Sequence, residues 1–369
     1  MTNPFTIKTY QGRDYFFDRE EETSRLNDAI ASERNITLFS YRRLGKTMLI
    51  RHVFACLDRV KFEPVYIDLF ATRNLAHFAQ KLSEVFYEHK IIQQTRLKRI
   101  LGSMGASLTF DPMTGNPKLN FNLTHKPFLI QNLHELFTSI KDTSEQIVLA
   151  FDEFQELANY EEDTAEASVR TIMQDFPGIT FIFSGSKKSL IKEMFTNPMR
   201  PFFQSTEMME LKEIERDIYA SEIFRVLDKH KKKYDPGVIY SILDDTYCHT
   251  GFTQMVLSKV YSESREIIDK EVYQEAFSDI LEDHRSLARE LEFLLSPLQW
   301  RTLLAIAREE FVKAPQSIDF ISRYHLSSPS SIARVISSLS DKGLIIDAGD
   351  RGLRVYDVFI QKNLQRLYM

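Results

Sequence analysis

Ser40-Tyr41-Arg42-Arg43-Leu44-Gly45-Lys46-Thr47 ends in Gly-Lys-Thr, with a serine where a phosphate-binding loop, G-x-x-x-x-G-K-[ST], has its first glycine. The short β-rich run Ile36–Ser40 leads into it, and TMLIRHVFACL, with apolar residues at helical spacing, leads out. A strand before and a helix after is the setting the motif requires. There the backbone N–H groups of Arg43, Leu44, Gly45, Lys46, Thr47 and Met48 curl around phosphate oxygens, and the helix N-terminus adds its positive dipole end. Lys46 reaches the β- and γ-phosphates as a compact charge, and Thr47 puts its hydroxyl on Mg2+. Gly45 is needed because a Cβ would push into the phosphate. Ser40 can make the turn out of the strand if its φ stays negative. Arg42 and Arg43 have two open readings, contact with phosphate or a neighbouring domain and solvation at the mouth of the site.

About a hundred residues later, IVLAFDEF closes an apolar run with Asp152 and Glu153. Alone, an acidic pair after a strand is the polar start of a loop. Paired with the upstream loop, Asp152 is a Mg2+ ligand and Glu153 polarises the attacking water. TFIFSGS, the next apolar strand, ends in Ser184, Gly185 and Ser186. If it lies between the two motif strands, the Ser184 hydroxyl faces the γ-phosphate and distinguishes triphosphate from diphosphate. A Gly-Ser turn without a ligand is the alternative.

These residues need a sheet to hold them, and the first half of the chain supplies one. Ile36–Ser40, Pro64–Leu69, Gln146–Phe154, Ile179–Ser186 and Glu207–Leu211 read as strands between helical patterns, the alternation of an α/β fold. The two nearly continuous apolar runs suit strands buried on both faces. Alternating residues on both sides of D-P-M-T-G-N-P read as a β-hairpin insertion at about 105–124. After Lys212 the pattern turns helical up to about Arg285. From Ser286, three helical stretches precede LIIDAGDRGLRVYDV, two strands around a turn, the layout of a winged helix. The expected domains are therefore 1–212, 213–285 and 286–369.

Within the last, SSPSSIARVISSLSDKG is the expected recognition helix, with Ser328, Ser330, Ser331 and Arg334 able to reach bases or phosphates, and Arg351 and Arg354 on the wing. Yet from Ser286 onward there are eleven Lys and Arg against nine Asp and Glu, a weak basic footprint. The formal net charge of the 369 residues is −5, which offers no global attraction to nucleic acid or anionic membrane. The two cysteines, Cys56 and Cys248, have no metal or disulfide spacing, which fits a reducing compartment. No signal-like or membrane-spanning apolar run occurs, so a cytoplasmic location is expected.

Phe17-Asp18-Arg19-Glu20-Glu21-Glu22, S-Y-R-R-L-G-K-T, F-S-G-S-K-K-S-L-I-K-E-M-F and R-P-F-F together resemble the archaeal-type ATPase family, AAA-like P-loop NTPases of the STAND class, over nearly the whole chain. The resemblance implies an ASCE/AAA-like core with parallel strand order 5-1-4-3-2, a small helical domain and a winged helix. It places Phe17 to Glu20, Phe17 and Arg19 among them, near the adenine, and repeats the roles of Lys46, Thr47, Asp152 and Glu153. The family pattern departs at Ser40, at Gln204-Ser205 where Gly-Arg is common, and at Gly251-Phe252-Thr253 where Gly-x-Pro is common.

The combined expectation is an ATP-binding, Mg2+-dependent ATPase acting as a molecular switch. ATP or ADP sits between core and helical domain, and hydrolysis is slow. Lys46, Glu153 and Ser184 carry the chemistry. The alternatives are an ATP-responsive DNA-binding regulator with little hydrolysis and a pseudo-ATPase scaffold. An unidentified protein partner, double-stranded DNA through the winged helix, and self-association stay open as partners; a membrane is not among them.

Overall fold

Alternation of side chains about the pleat explains how five short strands make a sheet covered on both faces. The computed structural model describes residues 3–5, 10–92, 106–110, 117–121, 129–140 and 145–368. The chain forms two compact units, Lys8–Ile214 and Met1–Ile7 with Glu215–Met369. In the first, β1 (Ile36–Phe39), β2 (Phe62–Asp68), β5 (Gln146–Asp152), β6 (Thr180–Gly185) and β7 (Glu207–Glu210) form a parallel sheet in the order β2-β5-β6-β1-β7. That is the expected 5-1-4-3-2 order, with β6 between the two motif strands.

Phe39, Val65, Ile67, Leu149, Phe151, Phe181 and Phe183 point to one face, a phenylalanine-rich core under α3 (Leu75–Glu88) and the helices Leu129–Ile140, Ala165–Asp175 and Lys188–Thr196. Ile36, Leu38, Val148, Ala150, Ile182 and Met209 point to the other, against α1 (Glu20–Ala31) and α2 (Lys46–Cys56). The hairpin is present as β3 (Ala106–Phe110) paired antiparallel with β4 (Pro117–Phe121). Its turn, including Gly115, lies outside the described residues.

In the second unit, helices Arg216–Lys229, Pro236–Asp245, Thr250–Glu263 and Lys270–Asp283 start at caps supplied by Glu215, Asp235, His249 and Asp269. A small parallel pair, β8 (Lys233–Tyr234) with β9 (Ile267–Ile268), ties them together. Helices Pro297–Glu309, Ile318–Arg323 and Pro329–Asp341 then precede β10 (Ile345–Asp347) and β11 (Leu353–Val355), an antiparallel wing. A final helix, Val358–Tyr368, packs Ile360 and Leu364 into the same core as Leu303 and Ile306.

One expected wing residue is corrected. Arg354 is not on a DNA-facing surface: it is 1% exposed, bonds the Val355 and Tyr356 carbonyls at 2.9 and 3.0 Å, and lies over the Tyr247 ring. The pleat of a three-residue strand turns it inward, where aromatic and carbonyl groups replace water around the guanidinium. Arg351 is exposed and packs over Phe311 at 4.3 Å. Ser328, Ser330 and Arg334 are exposed, and Ser331 is half-buried. Among the described residues, no helix is long and apolar enough to cross a membrane.

Candidate functional site

The face of the sheet that packs on α2 turns polar at its C-terminal edge. Period-2 alternation puts Ser40 after Leu38, Asp152 after Ala150 and Ser184 after Ile182, while Tyr66 stands on the same face of β2. These four residues and the start of α2 define the site. The loop that opens α2 has Gly45 at φ 100°, the left-handed region, and a Cβ there would meet no protein atom within 4 Å. The requirement for glycine is thus conformational within the chain, and the space beside it lies open for a ligand. Ser40 is absent from the residues with positive φ, so serine makes the turn without strain.

Lys46 is 6% exposed, and its Nζ donates to Ser40 Oγ and the Tyr41 carbonyl, each at 3.1 Å. Burial pushes its pKa down to about 8, against the pull of the Asp152 and Glu153 carboxylates. Thr47 Oγ1 and Tyr66 OH both donate to Asp152 Oδ2 at 2.6 Å. Burial, and then the Asp152 charge, raise the Tyr66 pKa, so it remains a hydrogen-bond donor. Ser184 is fully buried, and its hydroxyl has no partner among the described residues. A buried donor in that condition costs roughly 1–3 kcal/mol, unlike the other hydroxyls of this edge.

Glu153 follows Asp152 in the left-handed region, φ 53°, with its N–H on Asp152 Oδ1 at 3.0 Å. Its Oε2 accepts from Ser186 Oγ at 2.7 Å and from Gln155 Nε2. Gln155 is itself fully buried, and its Oε1 accepts from the Ser186 N–H at 3.3 Å. It lies where a Cβ on Gly185 would be, 2.5 Å from that position.

Residues 16–244 match an ATPase domain described as predominantly from Archaea, and residues 289–366 match a probable winged helix domain. The chain belongs to this archaeal-type ATPase family. Among solved structures, the Walker-type ATPase PABY2304 of Pyrococcus abyssi is 18% identical, covers 98% of this chain and 99% of its own, and gives a TM-score of 0.69. ORC2 of Aeropyrum pernix in its ADPNP–ADP complexes is 13% identical over 99% of this chain and 98% of its own, TM-score 0.62. ORC1 of the same organism in complex with DNA is 13% identical over 99% and 96%, TM-score 0.52. At such identities the likeness is one of fold. Among curated proteins, none matches the chain.

The structure of this archaeal-type ATPase brings Lys46, Thr47, Asp152, Glu153 and Ser184 to one edge. The remaining expected site residues occupy varied places. Leu44 is buried in the α1–α2 core, and Met48 is half-buried in the first turn of α2. Arg43, at φ 57°, is exposed on the loop. Phe17 is buried; Arg19, also buried, reaches the Leu44 carbonyl at 3.4 Å and the Lys212 carbonyl at 2.6 Å. Arg19 therefore ties the loop to the segment after β7. Arg200, the cation just before Pro201-Phe202-Phe203, is paired with Glu166 and Glu193. Tyr66 and Gln155 were not singled out from the sequence, and Ser186 was named only at the end of its strand, without its pairing to Glu153. Strand alternation, counted from the neighbouring β5, was the available signal for Tyr66. Nothing in the spacing signals Gln155, which depends on the missing Cβ of Gly185.

Proposed function

We propose that this ATPase is a nucleotide-driven molecular switch, binding ATP with Mg2+ at the edge described and hydrolysing it slowly. The observation that carries the reading is the convergence of a buried lysine, a threonine–carboxylate pair and an unpartnered buried hydroxyl on one sheet edge, beside a glycine-gated helix N-terminus. The residues fit a magnesium ion: a hydroxyl and one carboxylate oxygen 2.6 Å apart form the sparse oxygen set that Mg2+ takes when phosphates complete its shell. Thr47 and Asp152 would hold it, and the ion, when bound, would neutralise phosphate charge. Tyr66 steadies Asp152. Lys46 donates to the β- and γ-phosphates, and Ser184 supplies a hydroxyl donor to the γ-phosphate. Glu153, with Oε2 held by two donors, orients the attacking water.

Slow turnover is supported by Gln204 and Ser205 standing where a Gly-Arg is common in the family, and by the commitment of Arg200 to two carboxylates. The winged helix then passes the nucleotide state to a protein partner. Binding of a fluorescent ATP analogue should disappear in Lys46→Ala, and Glu153→Gln should retain binding and cut turnover roughly a hundredfold or more. Unchanged binding in the lysine variant would overturn the site assignment.

A second reading, an ATP-responsive DNA-binding regulator, is favoured by the exposed Ser328, Ser330 and Arg334 on the helix Pro329–Asp341. One similar fold, ORC1 of Aeropyrum pernix, is described in complex with DNA. A gel shift on duplex DNA with and without ATP separates the two.

A further inference from the structure

We infer that the Ser40 hydroxyl sets the nucleotide affinity of the site, acting as an internal acceptor for Lys46 that phosphate must displace. This rests on the proposed phosphate role of Lys46. Three acceptors surround the Lys46 ammonium: Ser40 Oγ at 3.1 Å, the Tyr41 carbonyl at 3.1 Å and the Ser40 carbonyl at 3.5 Å. The two carbonyls belong to the main chain and persist whatever residue stands at 40. The hydroxyl is the acceptor that this sequence adds, at the position where the loop pattern has glycine.

Its geometry makes it an acceptor toward lysine rather than a shared donor. Ser40 Oγ donates its own hydrogen to the Tyr41 carbonyl at 2.8 Å, so its lone pairs are what remains for the ammonium. Ser40 is 1% exposed, and water does not compete for the same bond. The backbone is held as well, the Ser40 N–H bonding the Gly185 carbonyl at 3.3 Å. A hydrogen bond to a charged group in such a place is among the stronger kinds. Lys46 cannot keep it at full strength while pointing its three N–H bonds at two phosphates.

The hydroxyl therefore weakens nucleotide binding without entering the chemical step. Removing it strengthens the ground-state and transition-state complexes equally, so KM falls and kcat stays. Damage to the loop has the opposite signature, a raised KM or a lowered kcat.

The test uses the full-length protein with Ser40→Ala and Ser40→Gly, both lacking the hydroxyl but differing in backbone freedom. Binding of N-methylanthraniloyl-ADP and steady-state ATP turnover are measured, with thermal melts reporting the fold. Both variants are expected to bind about tenfold tighter, with KM lowered in step and kcat within about twofold of the parent. Wild-type affinity or weaker binding in folded Ser40→Ala overturns the inference while leaving the site assignment intact. If the parent itself binds no nucleotide, or binds as well after Lys46→Ala, the site assignment fails and this inference with it.

Discussion

At the residue scale, the main cost of the site is a buried ammonium. Lys46 titrates near 8 in the folded chain because burial disfavours its charge, against an ordinary lysine value of 10.5. The folded chain then binds fewer protons than the unfolded chain between those two values, so stability rises with pH across that window. Below about 8 the penalty of the charged form is present in full; it is lost as pH rises past 8. Lys46→Met removes the titration and keeps the length of the side chain. In metal-free buffer, urea unfolding of wild type relative to Lys46→Met should show a stability difference that moves in favour of wild type between pH 8 and 10. The slope is at most about 1.4 kcal/mol per pH unit. Parallel curves for the two proteins would place the lysine in water. Under the proposed role of Lys46, a bound phosphate would add counter-charge to that of Asp152 and Glu153, which links this cost to function.

At the element scale, β6 and the turn after it position more than the strand pattern discloses. Gly185 leaves room for Gln155: an added Cβ would stand 2.3 Å from Ile191 Cγ1 and 2.5 Å from Gln155 Oε1. Gln155 in turn donates to the Glu153 carboxylate. Gly185→Ala should therefore cost about 1–3 kcal/mol by overpacking, and turnover should drop about tenfold as Gln155 leaves Glu153. Gly178→Ala, where a Cβ meets nothing within 4 Å, is the control and should change neither. Paired urea melts and turnover assays on the two variants check this; equal behaviour would uncouple Gly185 from Glu153. β5 and β6 were legible because burial on both faces demands an unbroken apolar run. Lys46, Thr47 and Asp152 were legible because strand-loop-helix order fixes where they emerge. The role of Gln155 and the pairing of Ser186 with Glu153 were not, because they follow from the packing of two turns around the missing Cβ of Gly185, which no spacing encodes. β8 and β9 escaped for a related reason: two-residue strands are too short to alternate. The inward turn of Arg354 was hidden likewise, since the Tyr247 ring beneath it comes from a distant segment of the chain.

At the scale of the whole molecule, the choice between a protein-facing switch and a DNA-binding regulator turns on how many cations are left to meet phosphate. The eleven Lys and Arg from Ser286 onward include several that the fold has already engaged. Arg354 is buried, Arg351 packs on Phe311, Arg323 is paired with Glu309 and Asp319, and Lys362 with Asp245 and Glu310. Six further acidic residues in the same stretch oppose the remaining seven. Each phosphate contact steepens the salt dependence of binding, so a surface whose remaining cations are nearly matched by acids gives weak binding with a shallow slope. Duplex DNA should accordingly bind no tighter than the non-specific range, roughly 10⁻⁴–10⁻⁶ M at physiological salt, and equally with and without ATP. Arg334 is the sensitive probe on the exposed helix face, and Arg334→Ala should leave that weak binding nearly unchanged. Arg354→Ala tests the packing alone: it should lower thermal stability, since the Val355 and Tyr356 carbonyls lose their donor, without altering any DNA contact. Gel shifts over a salt series decide the matter. Tight, ATP-dependent binding that weakens in Arg334→Ala would transfer the role of the winged helix from a protein partner to DNA, with the nucleotide site unchanged.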